Sequence, residues 1–183
     1  MDRLRDFVIP FVGLSVGNHR FEFEVDDSFF EQFEYSELQH GKVTVVADLE
    51  KKERMMVLNF HFAGDVEVTC DRCGEQFLYP LAGDEHLIIK FGTEFVEESD
   101  DMVTIPSTDY QIDLAPYIYE YLHLALPVRL IHPEDAEGRT ACDPEILKKL
   151  EELSPVNSMD PRWEALNRLR QQDDKNGRNQ EHK

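Results

Sequence analysis

The sequence predicts an α+β fold: an antiparallel β-meander with a short N-terminal helix and C-terminal helices packed on the sheet. Three observations predict it. The dominant apolar period from Phe7 to about Gly92 is two, a spacing of three to four takes over after Asp113, and a charged stretch separates the two regimes.

Arg3 and Arg5 ahead of the apolar stretch Phe7 to Val16 superficially resemble an export signal. Asp2 and Asp6 interrupt the positive region, Pro10 interrupts the apolar one, and Phe21, Phe23 and Val25 then alternate with Glu22, Glu24 and Asp26. A first strand pair is therefore expected here, without export. Asp27 or Ser28 can cap a short helix whose apolar face is Phe29, Phe30 and Phe33. Val43, Val45, Ala47 and Leu49 mark one strand, and Met56, Leu58, Phe60 and Phe62 the next. The charged turn Glu50-Lys51-Lys52-Glu53 joins them as a hairpin. Further strands are expected over Asp65 to Thr69, Gln76 to Leu81 and Glu85 to Phe91. Glu94 to Asp101 reads EFVEESDD, so 93–111 is expected to be a solvated acidic loop.

Beyond it, Asp113 can cap a helix with Pro116 in its first turn. Leu114, Ile118, Tyr121, Leu122 and Ala125 form its stripe, and Pro127 ends it. Asp143 and Pro144 open a second helix with Ile146, Leu147, Leu150 and Leu153 on one side. Asp160 and Pro161 open a third, with Trp163, Leu166 and Leu169. The expected organisation is a single α+β domain over 1–170 and a disordered polar tail over 171–183.

Composition narrows the class of function. The chain has 183 residues, 38 of them acidic and 19 basic, a formal charge of −19. Such a surface excludes a strongly basic nucleic-acid clamp and favours neutral or basic partners. No apolar run is long enough to span a membrane as a helix, and the expected setting is the reducing cytoplasm. Phosphate-cradling, dinucleotide-binding, zinc-protease and nucleophile-elbow motifs are all missing, so no enzymatic activity is expected. His61 and His123 read as surface or boundary residues.

Chemical potential is concentrated in Cys70-Asp71-Arg72-Cys73-Gly74, a C-x-x-C followed by glycine between two strand-like stretches. Two thiolates at that spacing point to one side of a tight turn, as in a zinc knuckle. A structural site needs four donors; Cys142 and His132 are the further candidates. Three readings stand side by side: a structural zinc held by Cys70, Cys73, His132 and Cys142, a dithiol redox pair, and unligated thiols in a turn. The redox form is weakest, since the stretch after Cys73 is strand-like rather than helical.

Four segments in order carry a resemblance. Cys70-Asp71-Arg72-Cys73 comes first, then Ile112-Asp113-Leu114 with Pro116 and the helix end Leu124-Ala125-Leu126-Pro127. His132-Pro133-Glu134-Asp135 with Gly138 is the third, and Asp160-Pro161-Arg162-Trp163 before Leu166 and Leu169 completes the set. Together, over roughly residues 40 to 170, they resemble the YceD family of large-subunit ribosomal RNA accumulation proteins. The resemblance implies a non-enzymatic bacterial factor for processing or accumulation of that RNA. Many members carry a second cysteine cluster after the L-x-L-P helix end; here most of it is absent. His132 stands where its first cysteine would be and Cys142 near its end, which leaves a Cys3His site or none.

The charge adds a constraint. An acidic body gains no counterion-release energy from RNA, so the expected partner is a basic ribosomal protein or a pre-ribosomal particle of the large subunit, with direct RNA contact weak or absent. Only residues 162–183, with six basic against four acidic residues and hence a local charge of +2, could touch RNA weakly. The alternative is a structural zinc-thiol protein or interaction module unrelated to ribosomes.

Overall fold

The computed structural model describes residues 6–134 and 136–154. The chain forms two compact units, Met1–Asp143 and Pro144–Lys183. In the first unit, strands β2 (Gly17–Val25), β3 (Gly41–Lys51), β4 (Met55–Thr69), β5 (Gln76–Gly92), β6 (Val96–Ser99) and β7 (Met102–Pro106) form one sheet in the order β2-β3-β4-β5-β7-β6. β1 (Val8–Ile9) pairs separately with β8 (Ile112–Asp113). Helix α1 spans Asp27–Phe30, and α2 spans Ala115–Leu124.

The period-two segments become strands because one face of each is buried. Val45 lies opposite Phe62 and Ala47 opposite Phe60; Leu58 faces Leu87 and Met56 faces Ile89. All of these belong to one buried cluster, closed over by Phe29 and Phe30 of α1 and by Leu114, Ile118 and Leu122 at α2. Each fully buried side chain of this size contributes roughly 1.5–3 kcal/mol. A one-residue slip, which would turn the whole set to solvent, would therefore exceed the roughly 5–15 kcal/mol that stabilises a domain.

Several expectations are corrected. The segments 56–62 and 65–69 are one strand, β4, and 76–81 and 85–91 are one strand, β5. Glycine makes this continuity possible. A Cβ at Gly64 would lie 2.1 Å from the carbonyl oxygen of Lys42, and one at Gly83 would lie 2.5 Å from the ring of its cross-strand neighbour Phe62. The acidic stretch within 93–111 is a hairpin rather than a loop, β6 pairing antiparallel with β7. Val103 and Ile105 of β7 are buried, and that apolar burial holds the flanking charges on the sheet. β7 runs parallel to β5, so the meander ends there. The N-terminal stretch does not pair with β2; a 3₁₀ turn, Phe11–Gly13, comes after β1, and β2 pairs with β3.

The caps differ by one position. Asp26, not Asp27 or Ser28, caps α1, accepting the Ser28 N–H at 3.0 Å. Leu114 is the capping residue of α2, while Asp113 accepts the Ala115 N–H at 2.9 Å. Among the C-terminal helices, α2 packs on the sheet, with the Tyr121 ring 5.3 Å from that of Phe60. Helix α3, Pro144–Leu153, opens the second unit and has no buried residue. The expected helix from Asp160 and the expected tail lie outside the described residues. No helix among those described is long and apolar enough to cross a membrane.

Candidate metal centre

The turn between β4 and β5 carries Cys70 and Cys73. The Cys70 N–H donates to the Glu75 carbonyl and the Gly74 N–H to the Cys70 carbonyl, both at 2.8 Å, which folds the C-x-x-C back on itself. Gly74 closes the turn at φ 78°, a left-handed backbone that glycine adopts without a Cβ penalty. This turn directs the amides of Arg72 and Cys73 at the Cys70 sulfur.

The other two donors come from the segment after α2. An isolated antiparallel bridge between Glu134 and Thr140, with Gly138 at φ 75°, closes the loop that separates His132 from Cys142. Asp71 ties this segment to the knuckle: its N–H donates to the Leu130 carbonyl, and its carboxylate accepts the Leu130 N–H, both at 2.7 Å. The His132 ring rests on Phe77 of β5, centroids 4.5 Å apart, with Nδ1 toward the sulfurs.

Cys70, Cys73, His132 and Cys142 thus converge, their ligand atoms all within 4.8 Å of one another. Cys70, Cys142 and His132 are buried, and Cys73 is half-buried. The spacings can be tested against a metal. Zn–S bonds of about 2.3 Å and Zn–N bonds of about 2.0–2.1 Å at tetrahedral angles place sulfurs about 3.8 Å apart and sulfur about 3.6 Å from nitrogen. The Cys70 and Cys142 sulfurs are 3.8 Å apart, and His132 Nδ1 is 3.5 Å from the Cys73 sulfur and 3.6 Å from that of Cys142. Three soft sulfurs with one imidazole are a donor set that suits zinc.

The electrostatics agree with that fit. Burial pushes the Cys70 thiol up, but the amides of Cys73, Arg72 and His132 and the His132 ring outweigh it and bring it down to about 6. The Thr140 hydroxyl lowers the Cys142 thiol, yet burial and the facing sulfurs of Cys70 and Cys73 prevail and leave it raised. A bound dication would offset the mutual repulsion of thiolates packed this closely.

The four residues singled out in the sequence are brought together without exception. Asp71 and Phe77, which position the two halves, carried no sequence signal of their own: an acid and an aromatic in a strand-rich region are ordinary until the fold sets them against their partners. Of the two histidines read as surface or boundary residues, His61 is exposed and pairs with Asp84. His123 is half-buried against Tyr119, and its Nε2 is buried with no hydrogen-bond partner among the described residues.

The family model described as "Large ribosomal RNA subunit accumulation protein YceD" matches residues 58–170, a span that holds all four convergent residues. The chain is also similar to "Uncharacterized protein YlbN" of Bacillus subtilis (strain 168), 25% identical over 134 residues that cover 72% of this chain and 76% of that protein. No solved structure matches at a significant level.

Proposed function

This chain belongs to the YceD family, and on that premise we propose that it supports accumulation of large-subunit ribosomal RNA as a non-enzymatic assembly factor acting through a basic ribosomal protein. The accumulation role comes from the family description. The indirect route is carried by one observation, the formal charge of −19, which opposes backbone binding to RNA because approach releases no cation atmosphere in the protein's favour. The same charge attracts and orients a basic protein. The setting this implies is the cytoplasm, where the subunit is assembled.

Within this reading Cys70, Cys73, His132 and Cys142 hold a structural zinc. Four protein donors leave no open position for substrate, so the metal's contribution is to lock the C-x-x-C turn to the segment after α2.

Depletion of the protein tests the role: large-subunit precursor RNA is expected to change while small-subunit RNA does not, and no change overturns it. Capture at physiological salt tests the route. A large-subunit protein enriched from whole lysate supports it, and recovery of RNA from protein-stripped lysate with no ribosomal protein enriched from whole lysate overturns it.

A further inference from the structure

The sheet has two edges, and they are built differently. β6 has four residues, its register with β7 shifts between Glu97 and Ser99, and two of the four, Glu97 and Glu98, are acidic. A short, irregular, charged edge resists further pairing. β2 has nine residues in unbroken register with β3 and contains neither proline nor lysine; its one arginine, Arg20, is paired with Asp48 of β3 at 3.6 Å. Among the described residues no strand pairs with its outer side.

Beside β2 lies a hollow of about 380 Å³. Phe7, Phe23 and Phe29 form its floor, with the Phe7 ring 5.4 Å from that of Phe23 and 4.7 Å from that of Phe29. Exposed Asp6, Glu22 and Glu24 stand around it, the two glutamates on the solvent face of β2 opposite Val46 and Thr44. An incoming strand on this edge would meet carboxylates on one face and aromatic rings on the other.

We infer that the outer edge of β2 is a docking strand for an extended segment of a basic protein, in which lysine or arginine residues facing Glu22 and Glu24 alternate with apolar residues over Phe7, Phe23 and Phe29. Main-chain bonds to the edge supply affinity and the alternating side chains supply selectivity. Charge decides the occupant. A second copy of this chain, paired antiparallel about Phe23, would bring Glu22 against Glu24 of another chain of charge −19, and Arg20 is already paired with Asp48, whereas a basic segment neutralises the glutamates. This assignment rests on the basic-partner reading above and narrows it to one edge.

The experiment uses the full chain and a short synthetic peptide of alternating lysine and valine. Hydrogen exchange with the peptide bound is expected to slow at amides within Gly17–Val25 and stay unchanged at Val96–Ser99. The Glu22→Lys/Glu24→Lys double variant, with unaltered circular dichroism and melting, is expected to bind roughly tenfold more weakly. Glu97→Lys is expected to bind like the native chain. Protection at β6, elsewhere outside β2 or nowhere overturns the assignment, as does a dimer with β2 protected in the absence of peptide. If the double variant captures the same ribosomal protein as the native chain, the edge is wrong and the basic-partner reading stands; if the native chain captures none, that reading itself fails.

Discussion

Asp71 and Leu130, 59 residues apart, exchange two hydrogen bonds of 2.7 Å, one through the Asp71 main chain and one through its carboxylate. They clamp the C-x-x-C turn to the segment that supplies His132. Asp71→Ala removes the carboxylate acceptor and leaves the Leu130 amide to water, so the tie between the two segments is lost. Outer-shell changes of this kind cost roughly 10–100-fold in metal affinity. Competition with a chromophoric chelator is expected to show a loss in that range for Asp71→Ala and a smaller one for Asp71→Asn. Equal affinity in all three proteins would remove the clamp from the account.

Reduced, tag-free protein is expected to carry one equivalent of zinc. Less than about a tenth of an equivalent would reject a structural site. Because the apolar cluster of the sheet lies outside the donor set, chelation is expected to lower the melting temperature while leaving a cooperative transition. Cys73→Ser, at the half-buried ligand, is expected to abolish zinc binding and reproduce the melt of the chelated protein.

The two strand glycines make contrasting demands. At Gly83 an added methyl meets a Phe62 ring that can shift, and Gly83→Ala is expected to cost about 1–3 kcal/mol. At Gly64 it meets the Lys42 carbonyl and, at 2.6 Å, the Val43 Cα, which are backbone. Gly64→Ala is therefore expected to cost more than Gly83→Ala in denaturant titrations; the reverse order would contradict the register of β3 with β4.

His40 Nδ1 lies 3.0 Å from the Asp27 carboxylate, which also accepts the Gly41 N–H at 2.9 Å. The hydrogen bond to Asp27 raises His40 above its usual 6.5, and the bonds from His40 and Gly41 lower Asp27 below 3.8. The His40 contribution to stability is complete below pH 6.5 and is lost as pH rises through its raised value; that of Asp27 is complete above pH 3.8 and is lost as pH falls through its lowered value. The pair thus acts fully between those two ordinary values. NMR titration should place His40 above 6.5 in the native chain and nearer 6.5 in Asp27→Asn. An unchanged midpoint would show that the pair does not form in solution.

The hairpin of β3 and β4 was legible because Val43 to Leu49 and Met56 to Phe62 each alternate on a buried face. The length of β4 and β5 was not, since Gly64 and Gly83 look like interruptions until the opposing strand shows what occupies the missing side chains' space. In the acidic stretch the charges of Glu94 to Asp101 hid the alternation of Val103 and Ile105 with Thr104, and pairing of β5 with β7 rather than with β6, the next strand along the chain, is a tertiary choice without a local marker. Convergence of Cys70, Cys73, His132 and Cys142 was readable from residue type, although their irregular spacing fits no regular motif. Asp71 and Phe77 have meaning only once the segment after α2 lies against the turn.

Cys142 is the last donor along the chain and the next-to-last residue of the first compact unit. During synthesis the first two sulfurs are made 59 residues or more before His132 and remain an incomplete pair until the final turn of that unit has been added. A donor set closed by the end of its own domain works as a checkpoint: it assembles only in a chain whose sheet, α2 and return segment have all reached their places, and a truncated or misregistered product lacks it.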